Sequence, residues 1–314
     1  MIERVKVAVV GVGNNTSALV QGIEYYRRTG SLVGICREEI DGLGVGDIEF
    51  VAAFATSPGK IGKDLTEAIF LPPNNFPRLD GRLPPAGVPV TEGLVDKSGI
   101  DRVAGALADA DVVLYSAPSG RPVIARAYAE AARRAGAAFV NTTSDTVARD
   151  PECLARFVDS GVPLIGDDLA SQFGTSVLHD ALLRLLAARG ISLVSSYQVN
   201  LGGTEDFRNL VANPNTKKQS KLNALSDADK VEMAPLGYLP HLNSQKVAHL
   251  NLEAQGWAGT AVSIDVKLKV HDPSGAAGVN VDLVRIAASA KRGSRGGYAT
   301  EATPLLKSPP GSAI

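Results

Sequence analysis

Residues 6–22, KVAVVGVGNNTSALVQG, decide the fold of this chain. The apolar run Val5–Val10 predicts a buried strand, and Gly11 and Gly13 follow it at once in a G-x-G turn. Such a turn lets backbone N–H groups approach a pyrophosphate at the start of the next helix, where the helix dipole favours negative charge. We therefore expect a strand, a tight phosphate-binding turn and a helix at the beginning of the chain.

The turn departs from the usual G-x-G-x-x-G pattern, because Thr16 stands where a third glycine or an alanine is expected. We expect the polar side chains of Asn14, Asn15 and Thr16 to add donors for a phosphate or a ribose. The acid that usually binds the ribose hydroxyls after the second strand is missing, since Thr56 lies there in the segment Ala-Thr-Ser. The residues alone therefore leave NAD and NADP both open.

The first half of the chain alternates short apolar runs with amphipathic segments, which is typical of a parallel sheet covered by helices on both faces. The predicted strands are residues 5–10, 48–54, 112–115, 138–141 and 163–166. Helices are expected at 122–136, where proline begins the helix and glycine ends it, and at 175–189.

The pattern changes after residue 190, which predicts a second domain. The expected elements are a strand at 191–200, a polar and loop-rich region at 201–245, two strands across 247–271 around a turn at 256–259, and a helix at about 276–291. The predicted fold class is therefore α/β, with a Rossmann-type parallel sheet and a second, mixed α/β domain.

Composition limits the classes of function. The chain has 314 residues, 45 % of them hydrophobic, and a formal net charge of -1, which argues against a general nucleic-acid binder. It shows neither an apolar run of about 18 residues nor a charged-then-apolar leader, so we expect no membrane partner and a cytoplasmic protein. The two cysteines and four histidines are scattered, so no protein-built metal site is expected.

Several blocks of the sequence occur in an order that points to a known family. They are GVGNNTSALVQG, DIEFVAAFATSPGKIGKDLTEAI, GDDLASQFGTSVLH, YQVNLGGTEDFRNL, KKQSK, YLPHLNSQKVAHLNLE and LLKSPP. Together they resemble the myo-inositol-1-phosphate synthase family in its shorter archaeal and actinobacterial form, whose glycine loop also has asparagine after the second glycine. The resemblance implies an NAD-binding Rossmann domain (1–194), a catalytic and tetramerisation domain (195–293), and a C-terminal segment (294–314) that returns to the first domain.

The resemblance also implies the chemistry, a cyclisation in which NAD is consumed and regenerated. A hydroxyl of an open-chain sugar phosphate is oxidised, the ketone acidifies a neighbouring C–H, the enolate closes the ring, and the ketone is reduced again. Negative charge develops on oxygen, so the site needs fixed cations and must exclude water. The family's lysines correspond to Lys217, Lys221, Lys246 and Lys307, while Lys218 is interpreted as a surface residue.

Lys217 and Lys221 lie four residues apart and would share one face of a helix. Their mutual repulsion is expected to lower the pKa of both, which favours proton transfer. The candidate catalytic residues are Lys217, Lys221, Lys246, Lys307, Asp206 and Asp272. The candidate cofactor-binding residues are Gly11, Gly13, Asn14, Asn15, Thr16, Thr56, Ser119, Gly120, Asp168 and Asn200.

Some of these residues have simpler explanations. Asp168 would lie at the carboxyl edge of the parallel sheet, where open α/β folds place ligands, but Asp167 serves equally well as an N-cap of the next helix. Asp272 stands before a proline and is explained as well by a turn as by an ion pair with a lysine. His179 and His249 fall on periodic apolar segments and are interpreted as structural.

The chain departs from the family pattern at several polar positions. Ser244 replaces an aspartate, Thr204 an asparagine, and Ala170 a lysine or similar residue. A buried polar group left without its partner costs about 1–3 kcal/mol, so a reshaped pocket is the simpler interpretation. We therefore favour fructose 6-phosphate closing to a five-membered cyclitol phosphate, as in carbocyclic nucleoside pathways, over the alternative of glucose 6-phosphate closing to myo-inositol phosphate.

Other functions and requirements stay open at this point. A plain NAD-dependent sugar phosphate dehydrogenase would share the fold but accumulate NADH, and a regulatory nucleotide-binding protein would keep the glycine loop. Neither would need four converging lysines. NADP in place of NAD, and a requirement for a divalent metal or ammonium, are also left open.

Overall fold

The computed structural model describes residues 4–79, 81–213, 217–234 and 236–313, which form two sheets with flanking helices. The strands are β1 (Val5–Val10), β2 (Ile48–Ala55), β3 (Val90–Glu92), β4 (Val112–Tyr115), β5 (Ala138–Asn141), β6 (Pro163–Ile165), β7 (Ser192–Gly202), β8 (Val231–Met233), β9 (Gly237–Tyr238), β10 (Gln245–Gln255), β11 (Ala261–His271) and β12 (Gly297–Tyr298). The helices are α1 (Asn14–Thr29), α2 (Leu65–Ala68), α3 (Ile100–Ala106), α4 (Pro122–Arg134), α5 (Pro151–Asp159), α6 (Thr175–Ala188), α7 (Glu205–Ala212), α8 (Lys218–Asn223) and α9 (Asp272–Arg292).

The first sheet has seven strands in the order β12-β6-β5-β4-β1-β2-β3, and its strand pairs are parallel. The chain moves outward from β1 to β3 on one side and from β4 to β6 on the other. Such an order leaves a crevice at the carboxyl ends of β1 and β4, where this type of sheet binds its ligands.

Helices cover both faces of the first sheet. On one face, α1 and α9 share a core with β1; Leu19, Val284 and Val7 belong to this core and are almost fully buried. On the other face, the alanine-rich α4 packs closely against Val113 and Phe139. Apolar residues buried on both faces explain why the parallel strands read as continuous apolar runs.

The second sheet consists of β11, β10 and β7 in antiparallel order, with β8 and β9 paired in parallel to β7. Helix α6 covers one face, where Leu183 and Leu186 pack with Leu250 and Leu252 of β10. Strand β11 leads directly into α9, which packs on the first sheet. Because β10 pairs with β11, this connection places β10 near the crevice of the first sheet.

The predicted fold class is confirmed, and most predicted elements are shifted by only one to four residues. Helix α9 begins at Asp272 rather than near 276, because Pro273 is suited to the first turn of a helix. It lies within the range 195–293 but packs on the first sheet, so that stretch is shared between the two sheets. The boundaries of the domains remain a proposal.

The region 201–245 differs from the loop-rich prediction. It contains α7 and α8, and Phe207 and Leu210 of α7 are buried. Helices of eight and six residues present too few turns for their periodicity to be recognised in the sequence. Residues 214–216 and 235 of this region lie outside the described part. None of the described helices combines the length and apolar character needed to cross a membrane.

Candidate active site

A cavity of about 540 Å³ opens at the carboxyl ends of β1 and β4. Segments from both sheets and from the C-terminal part of the chain contribute to its wall. The predicted site residues that line it are Gly11, Gly13, Asn14, Asn15, Thr56, Ser119, Asp168, Asn200, Asp206, Lys217, Lys221, Lys246, Asp272 and Lys307. Thr16 and Gly120 do not line it. The structure thus brings the glycine turn and the four lysines, which are far apart in the chain, to one cavity.

The glycine turn has the geometry needed to hold a pyrophosphate. Gly11 has a φ of +94°, and a Cβ at this position would lie 2.7 Å from the carbonyl oxygen of Ser116, so the close approach of β1 and β4 requires glycine. A Cβ on Gly13, the N-cap of α1, would meet no atom within 4 Å. Since no side chain caps α1, the cavity side of this helix N-terminus has room and donors for an anion.

Two of the expected cofactor donors serve the loop instead. The Asn14 amide oxygen accepts hydrogen bonds from the backbone N–H groups of Asn75, at 2.8 Å, and Phe76, at 2.9 Å. The Thr16 hydroxyl donates to the carbonyl of Gly11 at 2.6 Å, and Thr16 is 2 % exposed. The Asn14 amide nitrogen also donates to the Asn75 amide oxygen at 2.8 Å. Both side chains thus brace the turn, and a hydrogen bond from either of them to phosphate or ribose stays a prediction.

The loop after β4 approaches the cavity with Ser119 but turns Gly120 away from it. The N–H of Gly120 donates to Asp145 at 2.8 Å, and the N–H of Arg121 donates to the same carboxylate at 3.0 Å. Burial raises the pKa of Asp145, although these N–H donors act against the rise. Asp145 was not predicted as functional, and its place beneath the start of α4 explains how the loop is fixed.

Three of the four lysines form ion pairs. Lys217 Nζ lies 2.9 Å from Asp206 Oδ2, and Lys307 Nζ lies 2.9 Å from Asp168 Oδ2. Lys246 pairs with Asp272, the first residue of α9. Lys221 differs, since the described residues offer its ammonium group no ion pair.

The pKa values separate two lysines that were expected to behave alike. Burial and repulsion by Lys246 and Lys307 lower the pKa of Lys221 to about 7. Burial would also lower the pKa of Lys217, but attraction to Asp206 and then Asp168 outweighs it and raises that pKa. The expectation of two lowered values is therefore right for Lys221 and wrong for Lys217, because only Lys217 has carboxylate neighbours strong enough to hold its proton.

Two of the aspartates in these ion pairs, Asp168 and Asp272, are held in the charged form. Burial opposes ionisation of Asp168, but Lys307 and Lys217 outweigh it, and the pKa of Asp168 is lowered. The same balance, with Lys246 as the main cation, lowers the pKa of Asp272. The cavity wall therefore keeps fixed charges of both signs.

Asp168 is positioned by α8 and the C-terminal segment. The hydroxyl of Ser220 donates to its carboxylate at 2.5 Å, and the hydroxyl of Ser308 donates to Ser220 at 3.0 Å. The backbone N–H of Lys307 donates to the carbonyl of Asp168 at 2.7 Å. Folding of the C-terminal segment thus determines where both partners of the Lys307–Asp168 pair lie.

Several polar residues named from the sequence have structural roles. Asp167 accepts from the N–H groups of Val147 and Ala148, so it is not the N-cap of α6, a position taken by Gly174. His179 is fully buried, lies 2.8 Å from the Ser196 hydroxyl, and has its pKa lowered to about 4 by burial, which confirms a structural role.

The remaining polar positions fall on the wall or just behind it. Asn200 lines the cavity, and its amide oxygen accepts from the Thr175 hydroxyl at 2.9 Å. Thr204 and Ala170 also line the cavity, so two of the three departures from the family pattern change its wall. The third, Ser244, lies behind the wall and makes a 2.9 Å hydrogen bond with His271.

Lys60 is a cavity residue that the sequence reasoning missed. It is 3 % exposed, and its ammonium group donates to the carbonyl of Val12 at 2.6 Å and to the amide oxygen of Asn74 at 2.8 Å. A lysine in the glycine- and lysine-rich stretch after β2 has the appearance of a surface residue. Its burial follows from the fold of the 57–62 turn, which periodicity does not reveal.

Metal ligation has no support among the described residues, since they contain no group of three or more histidine, cysteine, aspartate or glutamate side chains able to hold an ion. The basic side chains among the described residues that line the cavity are those of Lys60, Arg121, Lys217, Lys221, Lys246 and Lys307.

Comparison with known proteins gives consistent matches. The model of the myo-inositol-1-phosphate synthase family matches residues 174–273, which contain three of the four lysines. The chain is 35 % identical to the inositol-3-phosphate synthases of Mycolicibacterium smegmatis and Corynebacterium glutamicum, and each alignment covers 98 % of this chain and 93 % of the relative.

Two solved structures are similar to this chain over nearly its whole length. The crystal structure of Ari2 is 51 % identical with a TM-score of 0.89, and the alignment covers 99 % of this chain and 94 % of that one. A myo-inositol-1-phosphate synthase-related protein from Thermotoga maritima is 25 % identical with a TM-score of 0.77, covering 94 % of this chain and 90 % of that one.

Proposed function

Because this chain belongs to the myo-inositol-1-phosphate synthase family, we propose that it converts a hexose 6-phosphate into a cyclitol phosphate in the cavity described above. The family reaction is an NAD-dependent cyclisation of a sugar phosphate without net redox change. One observation carries the assignment to this cavity: the glycine turn and the four lysines line the same space.

The residues at the cofactor end fit a dinucleotide. The uncapped N-terminus of α1 and the open space beside Gly13 suit a pyrophosphate. Ser119 and Thr56 line the same cavity on the loops that follow β4 and β2, the places where a nicotinamide and a ribose are expected. When bound, the cofactor accepts a hydride from the sugar and returns it after ring closure.

The paired lysines have the electrostatic role in this proposal. Lys217, Lys246 and Lys307 are each anchored by an aspartate, which fixes the direction of the ammonium group before substrate arrives. Fixed cations of this kind stabilise an alkoxide or an enolate without reorganisation during the reaction. They also bind the dianionic phosphate of the sugar.

Lys221 has the proton-transfer role. With a pKa of about 7 it is neutral in about half of the molecules at neutral pH and can therefore accept a proton at the start of the cycle. It takes the proton of the hydroxyl that is oxidised and returns it to the alkoxide formed when the ketone is reduced again. The second proton, released from the C–H next to the ketone, goes to the alkoxide that ring closure forms on the attacked carbonyl carbon. The balance of protons and hydride over the full cycle is zero.

We propose fructose 6-phosphate as the substrate, with glucose 6-phosphate as the alternative. In both sugars C6 becomes the nucleophile next to an oxidised C5; attack on C1 of glucose gives a six-membered ring, and attack on C2 of fructose gives a five-membered ring. The changes at Thr204 and Ala170 lie on the cavity wall, which favours a substrate with different contacts from glucose 6-phosphate.

Assembly as a homotetramer through the second domain is part of the same proposal. The face of β7 and β10 opposite α6 is not covered within the described chain: Val194 and Tyr197 are 53 % and 42 % exposed. An exposed sheet face carrying large apolar side chains is suited to contact with another copy.

The test is product analysis with NAD and each sugar phosphate separately. Carbon and phosphorus NMR should show a carbocycle from fructose 6-phosphate, and absorbance at the NADH band should show no accumulation. If a carbocycle forms from glucose 6-phosphate and not from fructose 6-phosphate, the cyclase activity stands and fructose 6-phosphate is refuted as the substrate. Stoichiometric NADH without a carbocycle would instead identify a sugar phosphate dehydrogenase.

A further inference from the structure

Lys60 is a buried cation without a counter-ion in the described part of the chain. Its ammonium group donates to two neutral acceptors, the Val12 carbonyl and the Asn74 amide oxygen, and none of the ion pairs includes it. The carboxylate of Asp64 nearby in sequence is occupied by Thr66 and by the backbone N–H groups at 86–88. Burying an unpaired ammonium group costs several kcal/mol, so this arrangement calls for an anion.

Lys60 lies beside the glycine turn. Val12 lies between Gly11 and Gly13, so the ammonium group contacts the turn that faces the N-terminus of α1. Lys60 lines the cavity, and an ammonium group has three N–H donors, of which two are used. The four other lysines that line the cavity lie on α8, on β10, near Asp206 and in the C-terminal segment, away from the glycine turn in the chain.

We propose that Lys60 binds the pyrophosphate of the dinucleotide, as a fixed positive charge added to the neutral N–H donors of the glycine turn. This inference rests on the proposed function, since it requires a dinucleotide in the cavity. It also explains how a glycine turn whose Asn14 and Thr16 side chains are occupied elsewhere holds a doubly charged group. A hydrogen bond between two charged groups contributes more than one between neutral groups.

The decisive variant is Lys60→Gln, which retains N–H donors for Val12 but removes the charge. Titration calorimetry with NAD, ADP-ribose and adenosine distinguishes the loss of the Lys60 charge from a general distortion of the site, because only adenosine lacks the pyrophosphate. The Kd values of NAD and ADP-ribose are expected to rise about ten- to a hundredfold, while that of adenosine changes less than about twofold. Lys60→Arg, which keeps the charge, should restore most of the affinity for NAD.

Two further variants provide a control and a second test. Lys63→Gln is the matched control, because Lys63 is exposed, pairs with Glu67 at 3.0 Å and does not line the cavity; it should bind all three ligands as the parent does. Asn74→Asp places a carboxylate beside the Lys60 ammonium group and should weaken NAD binding without removal of the lysine. This variant provides the test should Lys60→Gln not fold.

The inference is overturned if Lys60→Gln binds NAD and ADP-ribose as tightly as the parent, or if adenosine loses affinity equally. A loss confined to NADP would also overturn it, since the charge would then serve a 2′-phosphate. Parent protein that binds NAD but forms no carbocycle would refute the proposed function and leave this inference standing. Parent protein that binds none of the pyrophosphate ligands would refute both.

Discussion

Replacement of Lys221 by arginine tests whether a lysine that is neutral near pH 7 carries the proton. Arginine keeps a positive charge at the same place on α8 but does not titrate in the accessible range. The structure lowers the pKa of Lys221 to about 7 through burial, then through repulsion by Lys246, Lys307 and Lys217. Turnover should fall about 10²- to 10⁴-fold, the usual contribution of general acid–base catalysis.

The expected fall in turnover is consistent with the fraction of Lys221 that is neutral. At pH 7.5, a lysine with a pKa of about 7 is neutral in roughly three quarters of the molecules, whereas at its ordinary value of 10.5 it would be neutral in roughly one in a thousand. The environment of Lys221 thus provides several hundred times more of the base form. Because the neutral form is the one required, kcat/KM of the parent should rise with pH and level off above about 7.

The assay is the pH dependence of kcat/KM between pH 5.5 and 9.5, followed by the loss of sugar phosphate. The rising limb near pH 7 should be present in the parent and absent in Lys221→Arg. Lys218→Arg, on the exposed face of the same helix, is the matched control and should keep the parent profile. Two results would refute the assignment of proton transfer to Lys221. One is a rise of kcat/KM near pH 7 that persists in Lys221→Arg, and the other is a rise that occurs only near pH 10 in the parent.

Other consequences concern stability and the glycine turn. Lys221→Met should abolish turnover yet raise the melting temperature by roughly 2 °C or more in calorimetry, since it removes an ammonium group that lies among like charges and has no ion pair within the described ranges. An unchanged or lower melting temperature would contradict this. Gly11→Ala should lower the free energy of unfolding by about 2 kcal/mol or more in denaturant titrations, because its Cβ would lie 2.7 Å from the Ser116 carbonyl oxygen at a positive φ. Gly13→Ala should leave the free energy of unfolding nearly unchanged, because its Cβ would meet no atom within 4 Å. Asp206→Asn should lower the pKa of Lys217, measured by NMR of the methylated lysines, because Asp206 contributes the largest attraction that raises it; a pKa that stays raised would assign the effect to Asp168.

The sequence predicted five of the seven strands of the first sheet because their signals are local, and it did not predict the short strands β3 and β12. The apolar run of β1, the Gly11–Gly13 turn and the proline at the start of α4 each specify their element within a few residues. The same local signals did not reveal the partners of polar side chains. Asn14 bonds residues 61 positions away, and no spacing rule contains that information.

The convergence of the lysines could not be obtained from the residues without a family resemblance. Lys307 reaches the cavity because the C-terminal segment lies against Asp168, and Lys246 because β10 pairs with β7 at Gly202. These are contacts across long sequence separations. The difference between Lys217 and Lys221 likewise depends on Asp206 and Asp168, and a helical pair considered alone predicts the same shift for both.

The central claim is that one cavity carries out oxidation, ring closure and reduction on the same sugar molecule. Mass spectrometry of the product formed from a hexose 6-phosphate deuterated at C5, in ordinary water, tests it most directly. We predict that the deuterium removed as hydride returns to the product and is retained in the ring. Loss of the label to solvent or to a free pool of reduced cofactor would contradict it.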